Sequence, residues 1–225
     1  MGIRAVTLDF HGTIVTPDPH PGAIYAELAR EHGVTVAVET MRAHFVPCFH
    51  RVRSGWPVPY GRDEDDARAF WTAVVQDCFI AATGKPVPEN LTAAVFTAFG
   101  EARRWRVLPG VVESLAELRR REIPAAIASN FDLRVRPVIA ELGLGPFVLV
   151  LPSTLRGRPK PDPDMLVAIA EHLDLAPHEI LHIGDNPRED GGAASAAGTA
   201  FLAVEPHGGL DPEALIAALE ADPTT

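Results

Sequence analysis

Arg4-Ala5-Val6-Thr7-Leu8-Asp9-Phe10-His11-Gly12-Thr13 is the stretch that decides the fold. Val6 and Leu8 make a short apolar strand of the kind buried in a parallel sheet, and the strand delivers the carboxylate of Asp9 straight into a glycine turn. Gly12 permits a tight backbone there. Thr13 adds a hydroxyl able to fix one oxygen of a bound anion. Taken alone, a strand-end Asp is also an ordinary helix cap, so the reading rests on the remainder of the chain.

Beyond residue 107 short apolar runs alternate with amphipathic segments, as in successive strand-helix units of a parallel sheet. Strands are predicted at 123–128, 147–151, 180–183 and 200–204. Helices are predicted at 111–121, 132–142, 162–173, 187–197 and 211–219. Between the first strand and residue 107 four long amphipathic stretches follow one another without a convincing strand, at about 21–32, 37–53, 64–82 and 88–105. Turn signals at Gly33, in the Ser54-to-Arg62 segment and at Gly84-Lys85-Pro86 separate them. The fold class expected is therefore α/β: a Rossmann-like parallel sheet from residues 1–16 and 107–225, with a helical cap inserted over 17–106. The acidic run Asp63-Glu64-Asp65-Asp66 reads as the first turn of a helix, where the dipole favours negative charge.

Composition narrows the partners. The chain has 225 residues, 47% of them hydrophobic, enough for a sizeable core. A formal charge of −10 is the wrong sign for wrapping nucleic acid or coating an anionic membrane, so the charge of an anionic substrate must be met locally. Cys48 and Cys78 lack metal-ligand spacing and read as small buried residues of a reducing compartment. With no basic-then-apolar leader after Met1 and no run of the ~20 apolar residues that span a bilayer, a cytoplasmic monomer or homodimer is expected.

Three further segments bear polar residues where an open parallel sheet binds ligands, outside the carboxyl ends of its strands. Ser129 and Asn130 follow Ala125-Ala126-Ile127-Ala128 and can donate to an anion. Lys160 lies between prolines in Gly157-Arg158-Pro159-Lys160-Pro161-Asp162-Pro163, a stiffened loop in which Asp162 caps the next helix. Leu181-His182-Ile183-Gly184-Asp185-Asn186 repeats the strand-then-carboxylate pattern, with Glu189-Asp190 close behind. Asp185 and Asp190 are oxygen-only ligands suited to a hard divalent ion such as Mg²⁺ rather than zinc.

These four elements, in this order, resemble the haloacid dehalogenase superfamily of aspartate-nucleophile hydrolases, and more narrowly its members with a helical cap after the first motif. The resemblance implies that Asp9 is the nucleophile, Thr13 and Ser129 phosphate ligands, Lys160 the charge-neutralising cation, and Asp185 and Asp190 the acidic residues of a Mg²⁺ site to which residue 11 adds its backbone carbonyl. It implies a small phosphorylated metabolite as substrate and the helical insertion as a lid. The departure is His11, where the family's phosphatases carry a second aspartate that protonates the leaving group and later activates water. An imidazole is able to do both, and the expectation is that His11 acts chiefly as the base, which favours good leaving groups. Two rivals stand beside the phosphatase. A hydrolytic dehalogenase would share Asp9, Ser129 and Lys160 but has no use for Asp185, and an idle fold kept for binding would have no need to keep Asp9, Lys160 and Asp185 together. Among cap residues His44, His50, Arg51, Arg53 and Arg62 are candidate substrate contacts by chemistry alone, but arginines on helices more often face solvent, so none is assigned to the site.

Overall fold

The computed structural model describes residues 2–221. In chain order the elements are β1 (Ala5–Leu8), β2 (Val15–Pro17), α1 (Pro21–Glu31), α2 (Val38–Gly55), α3 (Glu64–Thr83), α4 (Glu89–Ala98), β3 (Trp105–Val107), α5 (Val111–Arg120) and β4 (Ala125–Ser129). They continue as α6 (Val135–Glu141), β5 (Leu149–Pro152), α7 (Asp164–Leu173), β6 (Ile180–Gly184), α8 (Asp190–Ala197), β7 (Ala200–Ala203) and α9 (Pro212–Glu220).

Five of the strands form a parallel sheet in the order β5-β4-β1-β6-β7. β1 is central, with Val6 opposite Ala125 on one side and Leu181 on the other. Helices cover both faces, so the inner strands are buried along their whole length and read as continuous apolar runs. Because β4 and β6 flank β1, the carboxyl ends of three strands lie side by side. This order alone brings Asp9, Ser129 and Asp185 to one rim.

Just past β1, Phe10 anchors the loop. Its ring centroid is 5.1 Å from that of Trp105 and 5.8 Å from that of Phe131, and Trp105 and Phe131 are themselves 5.8 Å apart. Phe10 is fully buried, worth about 1.5–3 kcal/mol.

α1 to α4 bury a separate cluster around Ile24, Met41, Phe70, Phe79 and Leu91. The chain passes between this cap and the sheet along two strands, β2 and β3, paired antiparallel with Thr16 opposite Arg106. This corrects the expectation of an unbroken helix to residue 105. α4 stops at Ala98, a 3₁₀ turn covers Ala102–Arg104, and Trp105 then turns its ring into the core while its indole N–H donates to the Phe99 carbonyl at 3.1 Å. A three-residue strand is too short to show alternation, so tertiary packing overrides the apolar period. The helix expected from 187 likewise starts only at Asp190, since residues 186–189 form the loop that shapes the site. Beside the neck the buried Arg104 makes a bidentate pair with Glu27, 2.8 Å at each oxygen. Asp63 caps α3 by accepting the Asp66 N–H. Cys48 and Cys78 are buried free thiols, and among the described residues no helix is long and apolar enough to cross a membrane.

Candidate active site

At the rim of the sheet the Lys160 ammonium is the central charge. It donates to Asp9 Oδ1 at 2.7 Å, to Asp190 Oδ1 at 2.5 Å and to the Ala128 carbonyl at 2.7 Å, so all three of its protons are used. Lys160 is 3% exposed. A buried ammonium persists only when paired in this way. Asp9, Asp185 and Asp190 each bring a carboxylate oxygen within 4.8 Å of the others. Three oxygen donors with no thiolate or imidazole suit a hard divalent cation.

Two glycines make room for this crowding. Gly12 has φ +93°, and a Cβ there would lie 2.5 Å from Asp185 Oδ2. A Cβ on Gly184 would collide with the Asp190 carboxyl group. Any side chain at either position would push a carboxylate out of the cluster.

The electrostatics are uneven. Burial pushes Asp9 up to about 6, against the pull of Lys160, and neighbouring Asp190 and Asp185 add to the rise. Burial works the same way on Asp190, but Lys160 and a hydrogen bond from His182 overturn it and leave Asp190 below the usual carboxylate range. Asp185 is raised by burial, partly offset by the hydroxyl of Thr13. Lys160 is raised because Asp9 and Asp190 outweigh its burial. Without a cation, the cluster carries more negative charge than Lys160 balances.

The expected residues take different places. Asp9, His11, Ser129, Asn130, Lys160, Asp185 and Asp190 all line one cavity between sheet and cap. Thr13 does not: its fully buried hydroxyl donates to Asp185 Oδ1 at 3.0 Å, holding that carboxylate instead of facing the cavity. Asn130 is also engaged otherwise than expected. Its amide donates to the Lys160 carbonyl and to Glu189 Oε2, both at 3.0 Å, and its oxygen accepts the Lys160 N–H at 2.7 Å, which clamps the lysine loop to the end of β4. The His11 ring opens into the cavity, T-shaped against His207 with centroids 5.4 Å apart. The ring is exposed to the cavity, and the protein packed around it, with His207 adding to the effect, lowers its pKa.

Other functional residues carried little or no signal. His182, in the middle of β6, is fully buried; one ring nitrogen pairs with Thr7 Oγ1 at 2.9 Å and the other with Asp190 Oδ1 at 3.1 Å, so it orients Asp190 from behind. Glu189 ties cap to sheet: Arg53 donates to it, the Tyr60 hydroxyl lies 3.4 Å away, and Asn130 holds its other side. Of the five cap residues named on chemistry, His50 and Arg53 line the cavity. Arg51 instead pairs with Asp77 and Arg62 with Asp66. Adjacency to Asp190 was the only sequence hint for Glu189, and nothing marked Tyr60.

Comparison with known proteins agrees with this geometry. A family profile described as haloacid dehalogenase-like hydrolase matches residues 3–198. The human haloacid dehalogenase-like hydrolase domain-containing protein 3 is 32% identical over 219 residues, covering 93% of this chain and 85% of that protein. Phosphoserine phosphatase of Thermus thermophilus is 27% identical over 231 residues, covering 94% and 91%. Among solved structures, L-2-haloacid dehalogenase from Xanthobacter autotrophicus superposes with a TM-score of 0.66 at 25% identity, over 95% of this chain and 81% of that one. With four motifs meeting at one rim and a match over most of its length, the chain belongs to the haloacid dehalogenase-like hydrolases.

Proposed function

We propose that the protein is a Mg²⁺-dependent phosphatase that acts on a small phosphorylated metabolite through an aspartyl phosphate on Asp9. The observation that carries the reading is the convergence of Asp9, Asp185 and Asp190 beside Lys160. Three carboxylates crowded around one ammonium are costly unless a cation joins them. Likeness to a phosphoserine phosphatase supports it.

Asp9, Asp185 and Asp190 would hold the Mg²⁺, which when bound withdraws charge from the phosphoryl oxygens. The free oxygen of Asp9 attacks phosphorus in line, forming an O–P bond as the ester P–O bond breaks. Lys160 neutralises charge on the equatorial oxygens, and Ser129, at the end of β4, donates to one of them. Asn130 and His182 hold Lys160 and Asp190 in place, and Thr13 does the same for Asp185. The departing oxygen leaves best when it is already a stable anion, because His11 stands where an acid carboxyl would protonate it. His11 then takes the proton of the water that hydrolyses the acyl phosphate, which frees Asp9 and inorganic phosphate.

Mg²⁺-dependent release of phosphate from p-nitrophenyl phosphate tests the reading, with Asp9→Asn expected to lower kcat by roughly 10⁴-fold or more. Release that survives this change, or proceeds equally in chelator, refutes it. The apolar walls of the cavity and the likeness to L-2-haloacid dehalogenase favour a second reading, in which Asp9 attacks carbon and expels halide. Halide release from L-2-chloropropionate without added metal, in protein that turns over no phosphate ester, would establish that reading instead.

A further inference from the structure

The cavity above the carboxylates has a volume of about 330 Å³, of the size that encloses a small molecule. Its roof is aromatic. Phe45, Phe49 and Trp71 stand as near-parallel plates, with centroids 6.3 Å and 5.8 Å apart and planes inclined by 14° and 17°. Phe96, Phe99 and Phe131 close the remaining walls.

Most polar groups near this roof are already engaged; among the described residues the Trp71 indole N–H and the Arg53 Nε–H are the buried donors there left without a partner. Arg134 gives its Nε and one terminal nitrogen to Asp132 and the other to the Phe96 carbonyl, and its guanidinium lies 3.6 Å from the Phe96 ring centroid. Arg53 and Tyr60 are bound to Glu189. A polyhydroxylated leaving group would surrender its water to a wall that offers it few partners, and each unmatched hydroxyl is penalised. A flat ring loses nothing of the kind and gains edge and face contacts with the plates.

We infer that the substrate is a small phosphomonoester whose leaving group carries an aromatic ring, seated against Phe49 and Trp71 with its phosphate at Lys160 and Ser129. The inference rests on the phosphatase reading and adds the class of substrate to it.

Two non-hydrolysable probes separate recognition of the ring from the reactivity of the ester. Phenylphosphonate and methylphosphonate are compared as inhibitors of p-nitrophenyl phosphate turnover by the full chain with Mg²⁺. Phenylphosphonate is expected to inhibit at about tenfold lower concentration. In Phe49→Leu the ratio of the two inhibition constants should fall toward one. Should that variant fail to fold, the wild-type ratio decides. Equal inhibition by both probes overturns the aromatic assignment alone, since the turnover that reports inhibition leaves the phosphatase reading intact. Absence of phosphate release from any ester overturns both.

Discussion

On the floor of the cavity nearly every polar group is answered by another: Lys160 by Asp9 and Asp190, Asp190 by His182, Asp185 by Thr13. On the roof the contacts are ring against ring, and the charged groups that tie cap to sheet, Glu64 and Glu189, stand at its margins. The floor is assembled from strand ends whose positions follow from sheet register. The roof is assembled from α2, α3 and α4, whose approach depends on side-chain packing. On the proposed function, one part holds the reaction and the other selects what reaches it, so their variants should fail in different ways.

The largest effect expected is at Lys160. Lys160→Met leaves Asp9 and Asp190 buried without their cation, and loss of one partner from a buried charge pair costs about 3–5 kcal/mol. Urea unfolding in chelator should show this loss, with partial recovery on adding Mg²⁺. Unchanged stability would break the picture of a floor held by charge.

Thr13→Val should leave the fold intact while weakening Mg²⁺ binding by roughly 10–100-fold, the usual consequence of removing a partner that orients a ligand. Titration calorimetry would read it. Unaltered affinity would return the hydroxyl to the phosphate role expected from sequence.

A smaller change is expected on the cap side. Glu64 accepts the Leu133 N–H at 3.1 Å and the Thr154 hydroxyl, which docks the start of α3 on the sheet domain. Glu64→Gln should cost about 1 kcal/mol and raise KM more than it lowers kcat. An equal fall in kcat for all substrates would erase the division between floor and roof.

The smallest signal is a difference between pH values. Asp9 is raised from its ordinary 3.8 to about 6. The stability it contributes is thus complete below pH 3.8 and lost as pH rises through 6 in metal-free protein. Asp190, held low, contributes oppositely, and its share is lost only in more acidic solution. Mg²⁺ should therefore raise Tm by more at pH 7.5 than at pH 5. An equal increment at both would argue against crowded carboxylates as the source.

The strand from Ala5 to Leu8, the glycine turn after it and the carboxylates of Asp9 and Asp185 were legible in the residue order, because buried parallel strands are apolar runs and their ends are punctuated by glycine. The lysine loop between its prolines was legible for the same local reason. The short strand at Trp105, the turning of Thr13 toward Asp185, the support of Asp190 by His182 and the closing of Arg53 and Tyr60 on Glu189 were not. Most of these join residues dozens of positions apart or reverse a local preference, and the His182–Asp190 pair, eight positions apart, depends on how the loop after β6 turns back. Local spacing records which way a chain turns and which side it buries; the partner of a buried hydroxyl or imidazole is set by sheet order and by how the cap packs, and these exist only once the chain has folded.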